Sequence, residues 1–444
     1  MFTIGDILKS GVRNYPNKDA MVFEDVRLTY REFDDRVNRL ANAIVSLGHL
    51  PGTTLAILAQ NTYKYLEVYL AAAKLGLPIV PLNFMFSDDE LIQTLRESEA
   101  TICVVGDGYE QVVERIRTAV PNVSDWIAMA DGRENFVDYE DLLCDAPPHA
   151  PQVDVDQNAL AVLAYKRGTN GRPKGVMLSH RNILNSAQAI LGLLDLRPTD
   201  AGCYVLPLYQ TEIVNTFCML MAGGKVVVNR KVDAAEILRL IQDERCTHIN
   251  MVPTLYDWLL QHPHFERYNL ASLKLLTYCG SAFPPDKLTQ CVKTFWKRFA
   301  QSYGSIETAG CSITALGSED HILDGPGSNL LASAGKPLNG AVVKIVDRDT
   351  KPLNAGEIGE VVVKSQNVMM GYWKQPELTQ QVLKDGWLHT GDVGYLDSNG
   401  YLYVLGRKDN PIVRTGSESV SLAVDALAEG LSDPDASDVH HNVN

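Results

Sequence analysis

The first third of the chain alternates between helical patterns and short apolar runs. Thr29 followed three residues later by Glu32 is typical of a capping box, and the apolar residues after it recur at helical spacing. A helix should therefore begin there. Further strand-like runs and amphipathic stretches follow in turn: 53–60, 63–76, 78–83, 88–98 and 101–106. This alternation predicts parallel βαβ units, with ligand sites at the carboxyl ends of the strands.

The same alternation resumes after a polar, proline-bearing segment at 146–157. A helix is predicted at 179–194, and the buried strands are predicted at 159–165, 224–229, 248–253 and 273–280. From about residue 333 the pattern becomes β-rich with tight turns. We therefore predict an α/β fold: a body of mixed, mainly parallel sheets flanked by helices over 1–332, and a small β-rich subdomain over 333–408.

Composition and charge narrow the class of protein. The 444 residues are 45% hydrophobic and 21% charged, as in ordinary globular proteins. The net charge of -14, without a run of Lys or Arg, argues against a nucleic-acid partner. The eight cysteines are scattered singly, which favours reduced structural thiols. No secretory signal and no apolar run of about 18 residues is found, so we expect a cytoplasmic protein without a membrane span.

The stretch YKRGTNGRPKG, residues 165–175, has the glycine and lysine content of a phosphate-binding loop. It is not a Walker A loop, because Lys174 is not followed by Ser or Thr and Pro173 stands where that motif has its second glycine. Taken alone, the stretch also allows a plain turn between a strand and a helix, which is the less favoured interpretation.

Three motifs in order carry a more specific signal. GRPKGVMLSHRNI, YGSIE and GWLHTGD occupy 171–183, 303–307 and 386–392. In these the chain resembles the adenylate-forming superfamily of acyl-CoA ligases, nonribosomal peptide adenylation domains and luciferases, and the acyl-CoA ligase branch is the most similar. The resemblance implies two steps: a carboxylic acid attacks the α-phosphate of ATP to form an acyl-adenylate, and CoA then displaces AMP. It also implies Mg²⁺ as a cofactor.

The resemblance implies roles for residues that bind the nucleotide. Asp392 would hold both ribose hydroxyls, Arg407 would reach the ribose or phosphate, and Tyr303 would stack on adenine. The remaining residues implied at the nucleotide are Gly280, Ser281, Ala282 and Gly304. A turn-forming aspartate, a solvated arginine and a core tyrosine are the structural alternatives for the first three.

Catalytic and acyl-binding roles follow from the same resemblance. Lys174, Thr169 and Glu307 would be catalytic, with Glu307 also the Mg²⁺ carboxylate. The residues implied at the acyl pocket are Tyr209, Gln210, Ile213, Val214 and Gly280. Gln210 replaces the usual histidine, and core packing remains an alternative for its apolar neighbours. The apolar surroundings favour a hydrophobic acid over a small polar one.

Several positions depart from the family pattern. In the phosphate loop, Lys166, Arg167 and Asn170 replace short hydroxyl residues, and Ile306 replaces a threonine in the second motif. Losing one hydroxyl donor to a charged phosphate oxygen costs on the order of 1.5–3 kcal/mol. Asp409 matches the family's hinge residue, and 409–444 resembles a truncated remnant of the C-terminal domain. The lysine that serves adenylation in that domain has no counterpart, since no lysine follows Lys408.

These departures leave three hypotheses. The first is an acyl-CoA ligase relative with impaired adenylation, which takes a preformed acyl-adenylate, supplied by a separate adenylating enzyme, and transfers the acyl group to CoA. The second is a conventional two-step ligase that uses ATP. The third is a non-catalytic relative that binds an acid, AMP or a partner protein. The oligomeric state, with a homodimer as one option, and a carrier-protein thiol in place of CoA are left open.

Overall fold

The computed structural model describes residues 3–167, 173–281, 283–295 and 298–408. Within these ranges the chain forms three β-sheets with helices packed against them. The α-helices are α1 (Ile7–Asn14), α2 (Tyr30–Ser46), α3 (Tyr63–Leu75), α4 (Asp88–Glu97), α5 (Glu110–Ile116), α6 (Tyr139–Asp145), α7 (His180–Leu194), α8 (Glu212–Met221), α9 (Ala234–Asp243), α10 (Pro253–Leu260), α11 (Pro285–Phe295) and α12 (Pro376–Val382).

The strands up to residue 228 are β1 (Asp19–Phe23), β2 (Val26–Thr29), β3 (Thr54–Leu58), β4 (Ile79–Pro81), β5 (Ala100–Val105), β6 (Asp125–Ala128), β7 (Val137–Asp138), β8 (Leu160–Arg167), β9 (Pro173–Ser179), β10 (Ala201–Tyr204) and β11 (Lys225–Val228). The later strands are β12 (His248–Met251), β13 (Leu275–Tyr278), β14 (Arg298–Ser305), β15 (Gly310–Leu316), β16 (Lys336–Pro337), β17 (Val342–Val346), β18 (Gly359–Lys364), β19 (Gly371–Tyr372), β20 (Leu383–Lys384), β21 (Trp387–Leu396) and β22 (Leu402–Arg407).

The largest sheet has nine strands in the order β16-β15-β14-β13-β12-β10-β11-β1-β2. Its six central strands are parallel, and the antiparallel pairs lie at the two edges. The strands β10, β12 and β13 are buried along their whole length, as expected for parallel strands covered on both faces. The carboxyl ends of these parallel strands therefore meet at one edge of the sheet.

A second sheet of eight strands has the order β19-β9-β8-β4-β3-β5-β6-β7. Its strands from β8 to β7 are parallel, whereas β9 pairs antiparallel with β8, and β19 pairs antiparallel with β9. The third sheet contains β17, β18, β20, β21 and β22, all antiparallel. The short strands β16 and β19, which belong to the predicted β-rich segment, pair with the two larger sheets.

Local sequence signals account for several helix starts. The Thr29 hydroxyl accepts a hydrogen bond from the Glu32 backbone N–H at the start of α2, and the Glu32 carboxylate accepts one from the Thr29 backbone N–H in return. Ser179 and Asn182 form the corresponding pair at the start of α7. These helices and the parallel strands between them confirm the predicted α/β fold.

Two predicted local structures differ from the observed ones. Residues 165–175 do not join a strand to a helix: β8 and β9 form an antiparallel hairpin on either side of the loop, and α7 begins only at His180. Asp392 lies within β21, opposite Arg407 on β22, and not in a turn as the structural alternative for it required. The turn residues alone did not show that β8 pairs with β9, or that β21 pairs with β22 as far as Asp392.

Candidate active site

Lys166 and Arg167 end strand β8 and point in different directions. Successive side chains of a strand lie on opposite faces of the sheet. The Arg167 guanidinium is turned outward, 57% exposed, and its Nε lies 3.1 Å from Oε1 of Glu90 on α4. The Lys166 ammonium instead contacts Oε1 of Glu307. The two cations therefore have different partners, and only Lys166 reaches the predicted site.

Glu307 is buried in a short 3₁₀ turn, 306–308, directly after β14. Its Oε1 contacts the Lys166 ammonium and accepts a hydrogen bond of 2.7 Å from the hydroxyl of Tyr372 on β19. Its Oε2 is buried and has no partner among the described residues. Burial alone would raise the pKa of Glu307, but the charge of Lys166 and the two hydrogen bonds outweigh it and lower the pKa to about 2. Glu307 is therefore an ionised carboxylate with a built-in counter-ion.

The ion pair with Lys166 changes whether Glu307 can hold Mg²⁺, the role that the resemblance implies for it. Mg²⁺ favours oxygen ligands and is usually held by one or two carboxylates together with substrate phosphates. The described residues contain no cluster of three or more His, Cys, Asp or Glu side chains that could hold a metal ion. Since the ammonium of Lys166 already occupies one oxygen of Glu307 and neutralises its charge, the arrangement does not fit a bound Mg²⁺.

Tyr303, Asp392 and Arg407 lie far apart in the sequence and meet in the structure. Asp392 and Arg407 are opposite each other on β21 and β22. The Arg407 guanidinium lies 3.0 Å from Oδ1 of Asp392, and the Tyr303 hydroxyl donates a hydrogen bond of 2.5 Å to Oδ2. Burial raises the pKa of Tyr303 well above its usual value, and the neighbouring Asp392 charge adds to this, so Tyr303 stays neutral. The predicted ribose and adenine residues thus form one hydrogen-bonded cluster.

This cluster leaves acceptor capacity for a ligand. A carboxylate offers about four lone-pair positions, of which Asp392 uses one on each oxygen for Tyr303 and Arg407. Two neighbouring hydroxyl groups could therefore still donate to it. Thr390 fixes the strand beneath the cluster, since its hydroxyl accepts a hydrogen bond of 3.0 Å from the Asp392 backbone N–H.

The motif around Glu307 has a tightly packed backbone. A Cβ on Gly304 would lie 2.2 Å from the carbonyl oxygen of Gly310, so only glycine fits there. Ile306 is partly buried against the main core. The nearby Thr308 hydroxyl accepts a hydrogen bond from the Ser305 backbone N–H, and its single hydrogen is within reach of the carbonyl oxygens of Ser305 and Gly310. It is therefore already engaged and does not stand in for the hydroxyl that Ile306 lacks.

The predicted acyl-pocket residues lie on and before α8. Tyr209 is buried, its ring meets Phe84 edge-on at 5.2 Å, and its hydroxyl accepts a hydrogen bond of 3.1 Å from Gln210. Ile213 and Val214 are part of the main hydrophobic core, which favours the packing alternative for these two. Two further predicted residues, Gly280 and Ser281, follow β13 and are half-buried, with Gly280 at a positive φ of 82°.

The remaining predicted residues are distributed unevenly. Lys174 lies opposite Lys166 across the hairpin and is half-buried. The residues outside the described ranges are Thr169, Asn170, Ala282 and Asp409, together with the rest of the predicted hinge and remnant at 409–444.

Sequence reasoning did not single out two residues that contact the predicted site segments, Tyr372 and Glu212. Tyr372 bonds Glu307 because β19 pairs with β9, and no local motif marks that pairing. Glu212 is buried at the start of α8, and here a signal was present. Glu212 begins a mostly apolar helix, directly before Ile213 and Val214, and a charged residue in such a setting is rarely buried without a partner.

Comparison with known proteins assigns the chain to a family. The profile of the AMP-binding enzyme family matches residues 8–373, most of the chain. The chain belongs to this family. The match and the relatives described below confirm the resemblance to the adenylate-forming superfamily and its acyl-CoA ligase branch.

Two relatives of this AMP-binding enzyme are named as a CoA synthase and a CoA ligase. A feruloyl-CoA synthase of Amycolatopsis sp is 32% identical over 412 residues, 92% of this chain and 79% of the relative. An indoleacetate–CoA ligase of Aromatoleum aromaticum is 32% identical over 410 residues, 91% of this chain and 78% of the relative. The AMP-binding enzyme is accordingly an acid–thiol ligase.

Solved structures support the same assignment. The inhibitor-bound N-terminal domain of FACL13 from Mycobacterium tuberculosis aligns with a TM-score of 0.85 and 28% identity, over 92% of this chain and all of that one. The o-succinylbenzoate–CoA synthetase of Bacillus subtilis, in complex with its acyl-adenylate intermediate, aligns with a TM-score of 0.79 and 28% identity, over 91% and 78% of the two chains. Adenylate-forming CoA ligases thus bind an acyl-adenylate. Among the described residues of the AMP-binding enzyme, no helix is long and apolar enough to cross a membrane.

Proposed function

We propose that this AMP-binding enzyme transfers the acyl group of a preformed acyl-adenylate to CoA, and that its ATP-dependent adenylation step is impaired or lost. The acid is hydrophobic over most of its length, and a separate adenylating enzyme supplies the adenylate. The observation that carries the proposal is the ion pair between Lys166 and Glu307.

The ion pair lies where the family resemblance places triphosphate chemistry. Adenylation needs the β- and γ-phosphates and their magnesium ion to be positioned for in-line attack, and electrostatic positioning supplies most of the rate of such reactions. A carboxylate that already holds an ammonium has little remaining attraction for a metal ion. Ile306, without a hydroxyl, removes a phosphate donor from the same turn.

The second half-reaction makes fewer demands on these residues. The CoA sulfur attacks the acyl carbonyl, a C–S bond forms, and the bond from the acyl carbon to the phosphate oxygen breaks with AMP leaving as the anion. The thiol proton passes to solvent. In this step the adenylate needs only to be held and oriented, which the cluster of Tyr303, Asp392 and Arg407 is suited to do.

A conventional two-step ligase is the second candidate, and one observation favours it. Oε2 of Glu307 has no partner among the described residues. An ATP-bound Mg²⁺ could coordinate that oxygen if Lys166 moved away. Lys174, retained in the hairpin, would be available to the phosphates in either case.

The experiment separates the two half-reactions. The protein is incubated with ATP, labelled pyrophosphate and a panel of hydrophobic acids, and separately with synthetic acyl-adenylates and CoA. We expect thioester from the acyl-adenylates and no ATP–pyrophosphate exchange. Exchange at a rate comparable with thioester formation would establish the conventional ligase, and no thioester from any acyl-adenylate would refute both candidates.

Matched variants test whether positions 166 and 306 limit the adenylation step. In a protein that also carries the C-terminal adenylation lysine, Lys166→Thr combined with Ile306→Thr should create or raise pyrophosphate exchange, because both changes restore hydroxyl groups and free Glu307. Arg167→Ser is the control: it also restores a hydroxyl group, but on the outward face of β8, where it breaks only a surface ion pair with Glu90, and it should change nothing. An unchanged exchange rate in the double variant would show that these positions do not limit adenylation.

A further inference from the structure

Glu212 is a buried carboxyl group for which the proposed reaction has no role. It is the first residue of α8, and its side chain is 3% exposed. Burial raises its pKa well above the usual value, and the neighbouring Cys279 adds to this effect. The raised pKa favours the protonated form of Glu212, and a protonated carboxyl group can donate one hydrogen bond.

The hydrogen bonds around Glu212 define which oxygen carries the proton. Oε2 accepts two bonds from side-chain amides, 2.7 Å from Nδ2 of Asn250 and 2.8 Å from Nδ2 of Asn215. Asn250 is held in turn by the Thr277 hydroxyl, which donates to its Oδ1 over 3.0 Å. An oxygen that accepts two N–H bonds is the carbonyl oxygen of the acid, so the proton belongs on Oε1.

Oε1 is the atom that lacks a partner. It is buried, and among the described residues no group accepts a hydrogen bond from it. Buried polar groups in folded proteins are nearly always satisfied, and an unsatisfied one is costly. An unpartnered oxygen at the start of α8, buried beside two asparagines that already bond the other oxygen, indicates that a ligand completes it.

Glu212 lies beside the predicted acyl pocket. It follows Gln210 by two residues and precedes Ile213. On its other side, the Asn250 amide lies 3.7 Å from the sulfur of Cys279, the residue before Gly280. The carboxyl group thus belongs to one segment that the resemblance assigns to the acyl group, and Asn250 links it to the other.

We propose that Glu212 is a specificity-determining residue whose Oε1–H donates a hydrogen bond to an oxygen on the acyl chain, so that the preferred acids are hydrophobic but carry one hydroxyl group. The inference rests on the proposed function, because it requires the acyl group to lie in this pocket. A fully hydrocarbon acyl chain would leave the donor unsatisfied, whereas a hydroxyl oxygen accepts its bond.

The test uses acyl sulfamoyl-adenosines, which are non-hydrolysable analogues of acyl-adenylates. Matched pairs differ by a single hydroxyl: phenylpropanoyl against its ring-hydroxylated forms, and octanoyl against its hydroxylated forms at successive carbons. Binding is measured by isothermal titration calorimetry. We expect one hydroxylated position to bind the wild-type protein about tenfold more tightly than its plain partner, the effect of one added hydrogen bond.

Two variants assign the preference to Glu212. In Glu212→Gln the side-chain carbonyl still accepts from the two asparagines and an N–H replaces Oε1–H, so the preference should remain. Glu212→Met has similar length but no donor, and the plain acyl group should bind it as well or better. Circular dichroism checks that both variants fold.

Each outcome bears on one claim. If the wild-type protein shows no preference at any position, the role of Glu212 is refuted while the proposed function stands, and this result does not depend on any variant folding. A preference that survives in Glu212→Met likewise refutes it. If neither AMP nor any acyl sulfamoyl-adenosine binds, the proposed function itself is wrong, and the inference falls with it.

Discussion

Replacing Lys166 by threonine should destabilise the protein in a pH-dependent way. The substitution removes the counter-ion of Glu307 and leaves a buried carboxylate with only the Tyr372 hydroxyl as a partner. Removing one partner of a buried ion pair typically costs about 3–5 kcal/mol of unfolding free energy. Because the Lys166 side chain is 28% exposed, water screens part of the interaction, and we expect a loss of about 2–3 kcal/mol at pH 7.

The pH dependence follows from the pKa of Glu307. In the wild-type protein this pKa is about 2, below its ordinary value of 4.5, so the pair contributes stability above pH 4.5 that is lost as the pH falls through about 2. Without Lys166, burial instead raises the pKa of Glu307, and the variant loses stability as the pH rises above 4.5. The difference between the two proteins should therefore widen from pH 4 to pH 7.

Urea unfolding followed by circular dichroism, at several pH values, measures this difference. Arg167→Ser is the control, since its ion pair with Glu90 is at the surface and should be worth less than about 1 kcal/mol. Added Mg²⁺ should raise the stability of Lys166→Thr and leave the wild-type protein unchanged, because only the variant offers an unpaired carboxylate. Equal losses in the two variants, or a loss independent of pH, would refute the assignment of Lys166 as the counter-ion.

Three further predictions concern other groups. Asp392→Asn should weaken AMP binding at least tenfold in calorimetry without unfolding the protein, because a charged acceptor is lost from the cluster; unchanged affinity would contradict the ribose role. His180 is buried, and burial lowers its pKa to about 4, so the free energy of unfolding should fall by about 3 kcal/mol between pH 6.5 and 4. His180→Asn, which can still accept a hydrogen bond from the Ile4 backbone N–H, should flatten this pH dependence in urea unfolding. An unchanged pH dependence would show that His180 does not cause it. The pKa of Glu212 is raised in the folded protein, so the wild-type protein should lose stability as the pH rises above 4.5, whereas Glu212→Gln should not. If the stability difference between the two proteins stays constant from pH 5 to 9 in thermal unfolding, Glu212 does not titrate in this range.

Local patterns carried much of the fold prediction. Helix α2 begins where the Thr29–Glu32 capping box predicts, and the apolar runs at 248–253 and 273–280 contain β12 and β13. The capping box depends on residues near each other in the chain, and the buried strands are marked by the length and apolarity of their runs, so both can be read from local sequence. The hairpin around the phosphate loop could not be read in this way, since the turn residues alone do not reveal which strand pairs with which.

In the predicted site too, ordered motifs reveal which residues are present, and only the fold reveals their contacts. Three ordered motifs were sufficient to single out Tyr303, Asp392 and Arg407, and the structure brings these three together. The motifs also singled out Lys166 and Glu307 as individual departures or ligands. They could not show that the two form an ion pair, because that contact depends on how β8 lies against the turn after β14.

The sequence by itself determined the class of fold, the family and the residue types available to the site, since all three are written in local spacing and ordered motifs. Only the tertiary structure decided the charge state and partners of those residues. Lys166 and Arg167 are neighbours in the chain, yet one neutralises a buried carboxylate and the other lies at the surface. Burial and proximity set the pKa values of Glu307 and Glu212 in opposite directions, because one carboxyl group has a cation beside it and the other has only amides and a thiol.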